Sequence, residues 1–137
     1  MSGGNVAAEF LDAAARRLGA PFLIDVASTW TYGQFFDRVR TYAAVLATAG
    51  ATPGDRVLVQ VEKSPEAVAL YVACLWAGTA HVPLNPAFTA DERRYFIDDA
   101  EPSVIVVDPG MAEDSAWLTL GPDGGGTLVE HLSLIHI

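Results

Sequence analysis

At 137 residues, half of them hydrophobic (51%), the chain is long enough for one domain with a real core and too apolar to be a disordered tail. No apolar run approaches the roughly 18 residues of a membrane span. Seventeen acidic residues against eight basic ones give a net charge of -9, and neither lysine nor arginine is clustered, which argues against nucleic acid or an anionic membrane as partner.

In chain order, Val6, Phe10, Leu11, Ala14 and Leu18 recur at helical spacing, with Arg16 and Arg17 in the last turn and Gly19 beyond. Residues 21–26 read as a short strand, and Ala27-Ser28 as a turn. Thr31 and Gln34 form a T-x-x-Q capping box. A helix is expected from there to about Ala49, with Phe35, Val39, Tyr42, Ala43 and Leu46 inward and Gly50 as its stop. Residues 56–61, with Val57, Leu58, Val59 and Val61, read as a strand after the turn Pro53-Gly54-Asp55. Ser64 caps the next helix, Pro65 suits its first position and Glu66 its positive end. Its apolar face is expected to carry Ala67, Tyr71, Cys74 and Gly78, widened by Val68, Leu70 and Leu75. Gly78 stops it.

Residues 80–84 form the second strand of this unit, closed by Asn85-Pro86. Thr89 and Glu92 make a second capping box for a helix through about Ala100. Residues 103–107 read as a buried strand, Asp108-Pro109-Gly110 as a turn and 117–120 as a further strand. The alternation from Ala51 onward predicts an α/β fold with a mostly parallel sheet and flanking helices. Ligands on such sheets sit outside the carboxyl ends of the strands. Here those ends are Glu62-Lys63-Ser64, residues 84–88 and residues 108–111.

Few residues offer chemistry of their own. Cys74, the only cysteine, lies on an apolar helix face with no His or Asp spaced to pair with it, so it reads as a core residue. His81 reads as structural, and no His or carboxylate spacing suggests a metal site. Gly121 to Gly126 (G-P-D-G-G-G) lacks a following Lys-Ser or Lys-Thr and reads as a flexible turn. Lys63, the only lysine, reads as a solvated group. Glu9 and Asp12 argue against a transit peptide and no signal-peptide core is seen, so the expected compartment is cytoplasmic. Residues 132–137 (L-S-L-I-H-I) end on an apolar run without a turn and are expected to be an artefactual tail on a fragment spanning 1–131.

Several stretches together resemble the N-terminal part of adenylate-forming acyl-CoA synthetases. They are W-T-Y-G-Q-F at 30–35, G-D-R-V at 54–57, E-K-S-P-E-A at 62–67, Ala77-Gly78 and V-P-L-N-P-A-F-T at 82–89. D-A-E-P at 99–102, V-V-D-P at 106–109 and L-G-P-D-G at 120–124 extend the resemblance. Within the superfamily, the E-K-S, L-N-x-x-F-T and L-G-P-D-G pieces, with the run ending in F-I-D-D-A-E-P, are most similar to malonyl-CoA synthetases.

The resemblance implies two half-reactions. A carboxylate attacks the α-phosphate of MgATP to give an acyl-adenylate, and the thiol of coenzyme A then displaces AMP. It also implies that the phosphate loop, the adenine and magnesium motif and the catalytic lysine lie in parts of the family absent from these residues. No catalytic or metal-binding residue is therefore expected here, and the fragment itself should need no cofactor. The intact parent would use ATP, magnesium and coenzyme A on a small carboxylate, malonate or methylmalonate. Asn85, Ala87 and Phe88 match a loop that lies beside coenzyme A in relatives. The loop matching 109–115 supplies arginines there, but Met111-Ala112-Glu113-Asp114 carries acids, which would repel a phosphate. Two alternatives stay open: another fatty or aromatic acyl-CoA synthetase, and a stand-alone non-catalytic interaction module.

Overall fold

A computed structural model of the chain describes residues 21–24, 29–128 and 130. The expected helix at 6–18 and the tail at 132–137 lie outside the described residues. Both capping boxes form. The Thr31 hydroxyl accepts from the Gln34 N–H at 3.1 Å, and the Gln34 side chain accepts from the Thr31 N–H at 2.9 Å. Thr89 and Glu92 repeat the pair at 3.2 and 3.0 Å. They start helices α1 (Tyr32–Thr48) and α3 (Ala90–Ala100). Ser64 caps α2 (Pro65–Trp76), accepting from the Ala67 N–H at 3.0 Å. Gly78, at φ +77°, lets the chain turn out of α2.

Four strands, β3 (Arg56–Gln60), β4 (Ala80–Pro83), β5 (Val104–Val107) and β6 (Leu118–Thr119), form one parallel sheet in the order β4-β3-β5-β6. This is the α/β fold with a mostly parallel sheet and flanking helices that the alternation predicted. The expected N-terminal strand at 21–26 forms over its described residues, 21–24. β1 (Pro21–Ile24) pairs antiparallel with β2 (Thr29–Thr31), a strand not expected from the sequence, which ends on the Thr31 cap.

The strand order fixes where the helices go. The step from β3 to β4 runs one way across the sheet, and the step from β4 to β5 returns past β3. Right-handed crossovers therefore put α2 and α3 on opposite faces. On the α2 face, Phe35, Val39, Tyr42, Val45 and Leu46 of α1 pack with Ala69, Leu70, Ala73 and Cys74 of α2. Val57 and Val59 of β3 and Val104 and Val106 of β5 complete this core. Burying each large apolar side chain there contributes about 1.5–3 kcal/mol. Leu58 and Gln60 alternate to the other face, also fully buried.

Two helix faces differ from expectation. In α1 the expected residues do pack on the core, Ala43 half-buried, and Val45 joins them fully buried. In α2 the buried set is Glu66, Ala69, Leu70, Ala73 and Cys74, while Val68 and Tyr71 are 41% and 45% exposed. The helix PEAVALYVACLW is apolar almost all round, so spacing cannot choose the inner face. Packing of α2 on α1 chooses it, and it favours the small residues Ala69 and Ala73.

The G-P-D-G-G-G segment is a packed turn rather than a loose one. The Gly121 N–H donates to Gly125 O at 2.8 Å and the Gly124 N–H to Gly121 O at 3.0 Å. Thr119 and Thr127 close its base with reciprocal backbone-to-hydroxyl bonds, both 2.9 Å. Gly126, at φ +117°, lies so close to β6 that a Cβ there would stand 2.4 Å from Thr119 O.

Candidate functional site

Gln60 ends β3, the strand from which the chain steps first to β4 on one side and then to β5 on the other. Crevices at such switch points are where parallel sheets bind ligands. Beside it, at the carboxyl ends of β3 and β4, lies a cleft of about 480 Å³. Val59 and Val61 line it with Lys63 from the loop before α2 and Ala67 from its first turn. His81, Pro83, Leu84, Asn85 and Pro86 form its other wall. Lys63 is exposed. The His81 ring meets Tyr71 edge-on with centroids 4.9 Å apart, and burial holds its pKa below the ordinary histidine value, so the imidazole is neutral at neutral pH.

The 85–88 loop is tied down from within. The Asn85 side-chain oxygen accepts from the Ala87 N–H at 2.8 Å, and the Phe88 N–H donates to Asn85 O at 3.0 Å. Gln60 Nε2 donates to two carbonyls of the loop, Asn85 O at 3.1 Å and Phe88 O at 3.0 Å. The Phe88 ring stacks parallel on Phe96 of α3, centroids 5.5 Å apart. The N–H groups of Ala87 and Phe88, in the loop that the resemblance sets beside coenzyme A, are both spent inside the loop. Pro86 has none to offer. The loop therefore does not fit a phosphate. It presents an amide at Asn85 and a small apolar rim at Pro86 and Ala87, which suit a flat or apolar part of a ligand.

Below the loop runs a polar chain that the sequence reading missed. Gln60 Oε1 accepts from Arg93 Nη1 at 2.9 Å. Arg93 Nη2 donates to Glu113 Oε2 at 2.6 Å, and Arg94 reaches Glu113 Oε1 at 3.4 Å. The Arg93 guanidinium also lies 5.6 Å from the Trp117 ring centre. Arg93 is only 4% exposed, the one buried residue of α3. Its hydrogen bond to Glu113 leads the causes that hold the Glu113 carboxyl below the ordinary glutamate range. The acids of the 111–114 loop are thus not a bare negative patch. Glu113 is neutralised by two arginines, and Asp114 Oδ1 accepts from the Ala116 N–H at 2.7 Å. The signal for this network was Gln60 itself, a polar residue at the end of a strand buried on both faces, which must find partners.

Among the described residues, no three His, Cys, Asp or Glu side chains stand close enough to share a metal ion, and no helix is long and apolar enough to cross a membrane. Lys63 is the sole ammonium side chain. These residues do not by themselves fit an ATP–magnesium site.

Residues 10–131 match the family described as AMP-binding enzyme. The chain belongs to that family. Through that family it is part of the adenylate-forming ligase superfamily, and several members are similar to it. It superposes on apo MatB from Rhodopseudomonas palustris with a TM-score of 0.86 at 36% identity, covering 94% of this chain and 28% of that one. It is 41% identical over 78 residues to L-proline--[L-prolyl-carrier protein] ligase of Streptomyces coelicolor, covering 57% of this chain and 15% of the relative. It is 40% identical over 85 residues to salicylyl-CoA synthase / salicylate adenylyltransferase of a Streptomyces species, covering 62% of this chain and 15% of the relative. The chain thus spans about a seventh of the length of these curated relatives. Its sheet and helices are the N-terminal fold of adenylate-forming enzymes.

Proposed function

We propose that this chain is the N-terminal part of an ATP-dependent acid–thiol ligase, a malonyl-CoA synthetase that joins malonate or methylmalonate to coenzyme A with release of AMP and pyrophosphate. The observation that supports it is a joint one. The stretches resembling malonyl-CoA synthetases form one continuous unit, and that unit superposes on MatB at 36% identity. The intact parent would use ATP, magnesium and coenzyme A in the cytoplasm, and residues 1–131 would be an N-terminal fragment of its AMP-binding domain.

In this reading Asn85, Ala87 and Phe88 form one wall of the coenzyme A approach. Coenzyme A, when bound, supplies the thiol for the second half-reaction. The chain's own contribution is orientation: the Asn85 amide offers a donor, the Pro86–Ala87 rim offers apolar contact, and Gln60 holds the loop carbonyls so that the wall stays in place. No step with ATP is assigned to these residues, because no phosphate cradle is among them.

A second reading is favoured by the 40% identity to the salicylyl-CoA synthase: an aromatic acid in place of malonate. The test is a panel of malonate, methylmalonate, benzoate, salicylate and proline offered to the intact parent with ATP and coenzyme A, with acyl-CoA products read by mass. Malonyl-CoA or methylmalonyl-CoA should dominate. Salicylyl-CoA alone would install the second reading, and the absence of any thioester would reject both.

A further inference from the structure

The loop at 85–88 and the loop at 111–114 leave the sheet on opposite sides of β3, yet one side chain reaches both. We propose that Arg93 is a positioning residue that ties these two loops together, through Gln60 on one side and Glu113 on the other, so that they shift as a unit. That the 85–88 loop faces a ligand rests on the reading above. The coupling itself does not.

Three observations carry it. First, every hydrogen-bonding group of the Gln60 amide is used: two donors on Asn85 O and Phe88 O, one acceptor on Arg93. Gln60 is fully buried, so none of these bonds can be exchanged for water. Second, the Arg93 fork divides between two partners, Nη1 to Gln60 and Nη2 to Glu113, and its planar geometry makes a shift at one end felt at the other. Third, Arg93 is 4% exposed and its Nε finds no acceptor among the described residues. A residue serving only to fill space under α3 would be apolar. Here a buried cation is kept with its Nε unmet, and the bonds it does make run to Glu113 of one loop and to Gln60, which holds the other.

The test uses this chain, uniformly nitrogen-15 labelled, and reads single amides by hydrogen exchange. In Glu113→Ala, a change at a side chain 39% exposed, exchange at Ala87 and Phe88 should rise about tenfold, the scale of one net hydrogen bond. The Leu84 amide, bonded to Val59 O, should stay unchanged. The Gln60 side-chain amide resonances should move with the loop, which loss of packing alone would not cause. Glu113→Gln, which retains an acceptor, should recover most of the protection. Gln60→Glu keeps the bond to Arg93 and removes both donors to the loop, and should open 85–88 while leaving 111–114 protected. Changes confined to 111–116 in Glu113→Ala would overturn the coupling, and so would a uniform rise at all amides including Leu84. If Gln60→Glu does not fold, the Glu113 variants decide alone. The measurement is made without ligand, so it can fail while the ligase reading stands, and the acid panel can fail while the coupling stands.

Discussion

The phenol of Tyr42 donates a hydrogen bond to the carboxylate of Glu66, joining α1 to the first turn of α2 across the core. Arg38 stands 3.5 Å from the same carboxylate oxygen, and Gly124 packs against the other, so that a Cβ there would lie 3.1 Å away. Burial raises the Tyr42 pKa well above the ordinary phenol value, and the Glu66 carboxylate adds to the shift, so the phenol is a fixed donor at any working pH. Tyr42→Phe should lower stability by about 1–2 kcal/mol, the cost of leaving a buried acceptor short of a partner. Chemical denaturation checks it, and a loss below a few tenths would mean that Arg38 alone satisfies Glu66.

The turn after β6 makes a paired prediction. At Gly126 the positive φ alone costs an alanine about 1–3 kcal/mol, and the clash with Thr119 O adds to that. At Gly125 the φ is ordinary and the nearest obstacle is Asp123 Oδ1 at 3.2 Å, the end of a side chain that needs to give by only a few tenths of an ångström while keeping its bond from the Gly125 N–H, so Gly125→Ala should stay within about 1 kcal/mol. Thermal melts of the two variants should separate clearly, with Gly126→Ala the lower.

Acid should act through Glu113 and Asp55. Both carboxyls are held below their ordinary values, Glu113 by Arg93, and Asp55 by the Thr52 backbone N–H at 2.7 Å and by the Thr52 hydroxyl. A depressed carboxylate contributes stability that is complete above the ordinary range, roughly pH 4, and is lost as pH falls through the lower folded-state values. Urea midpoints of the wild type should therefore fall on acidification. A Glu113→Gln, Asp55→Asn double variant should start lower at neutral pH and fall less.

Cys74 is fully buried and its thiol is pushed up to about 11 by that burial. Labelling by a water-soluble disulfide reagent near pH 8 should be slow in the native protein and immediate in urea. Prompt native labelling would contradict the packing of α2 described above.

The parts of this fold that were legible in the sequence are those set by local chemistry. Thr31 with Gln34, Thr89 with Glu92, Ser64 with Pro65, and Gly78 each start or stop a helix where read, because a cap is decided within four residues. The inner face of α2 was not legible, because Val68 and Tyr71 are as apolar as the residues that won, and the choice is made by α1. Arg93 was hidden for the opposite reason. In the charged run D-E-R-R-Y-F-I-D-D nothing local distinguishes Arg93 from Arg94, and only Gln60, 33 residues away, reveals that Arg93 turns inward. The 85–88 loop was found by resemblance, but its hydrogen bonding was not. That depends on Gln60 reaching across from β3.

The most direct test of the account is acid-dependent exchange of labelled pyrophosphate into ATP, measured in parallel on the intact parent and on this 137-residue chain. Exchange by the parent that depends on malonate or methylmalonate, with none by the chain alone, is the predicted result. An intact parent that stays inert with every acid in the panel, or exchange by the isolated chain that Lys63→Ala abolishes, would contradict it.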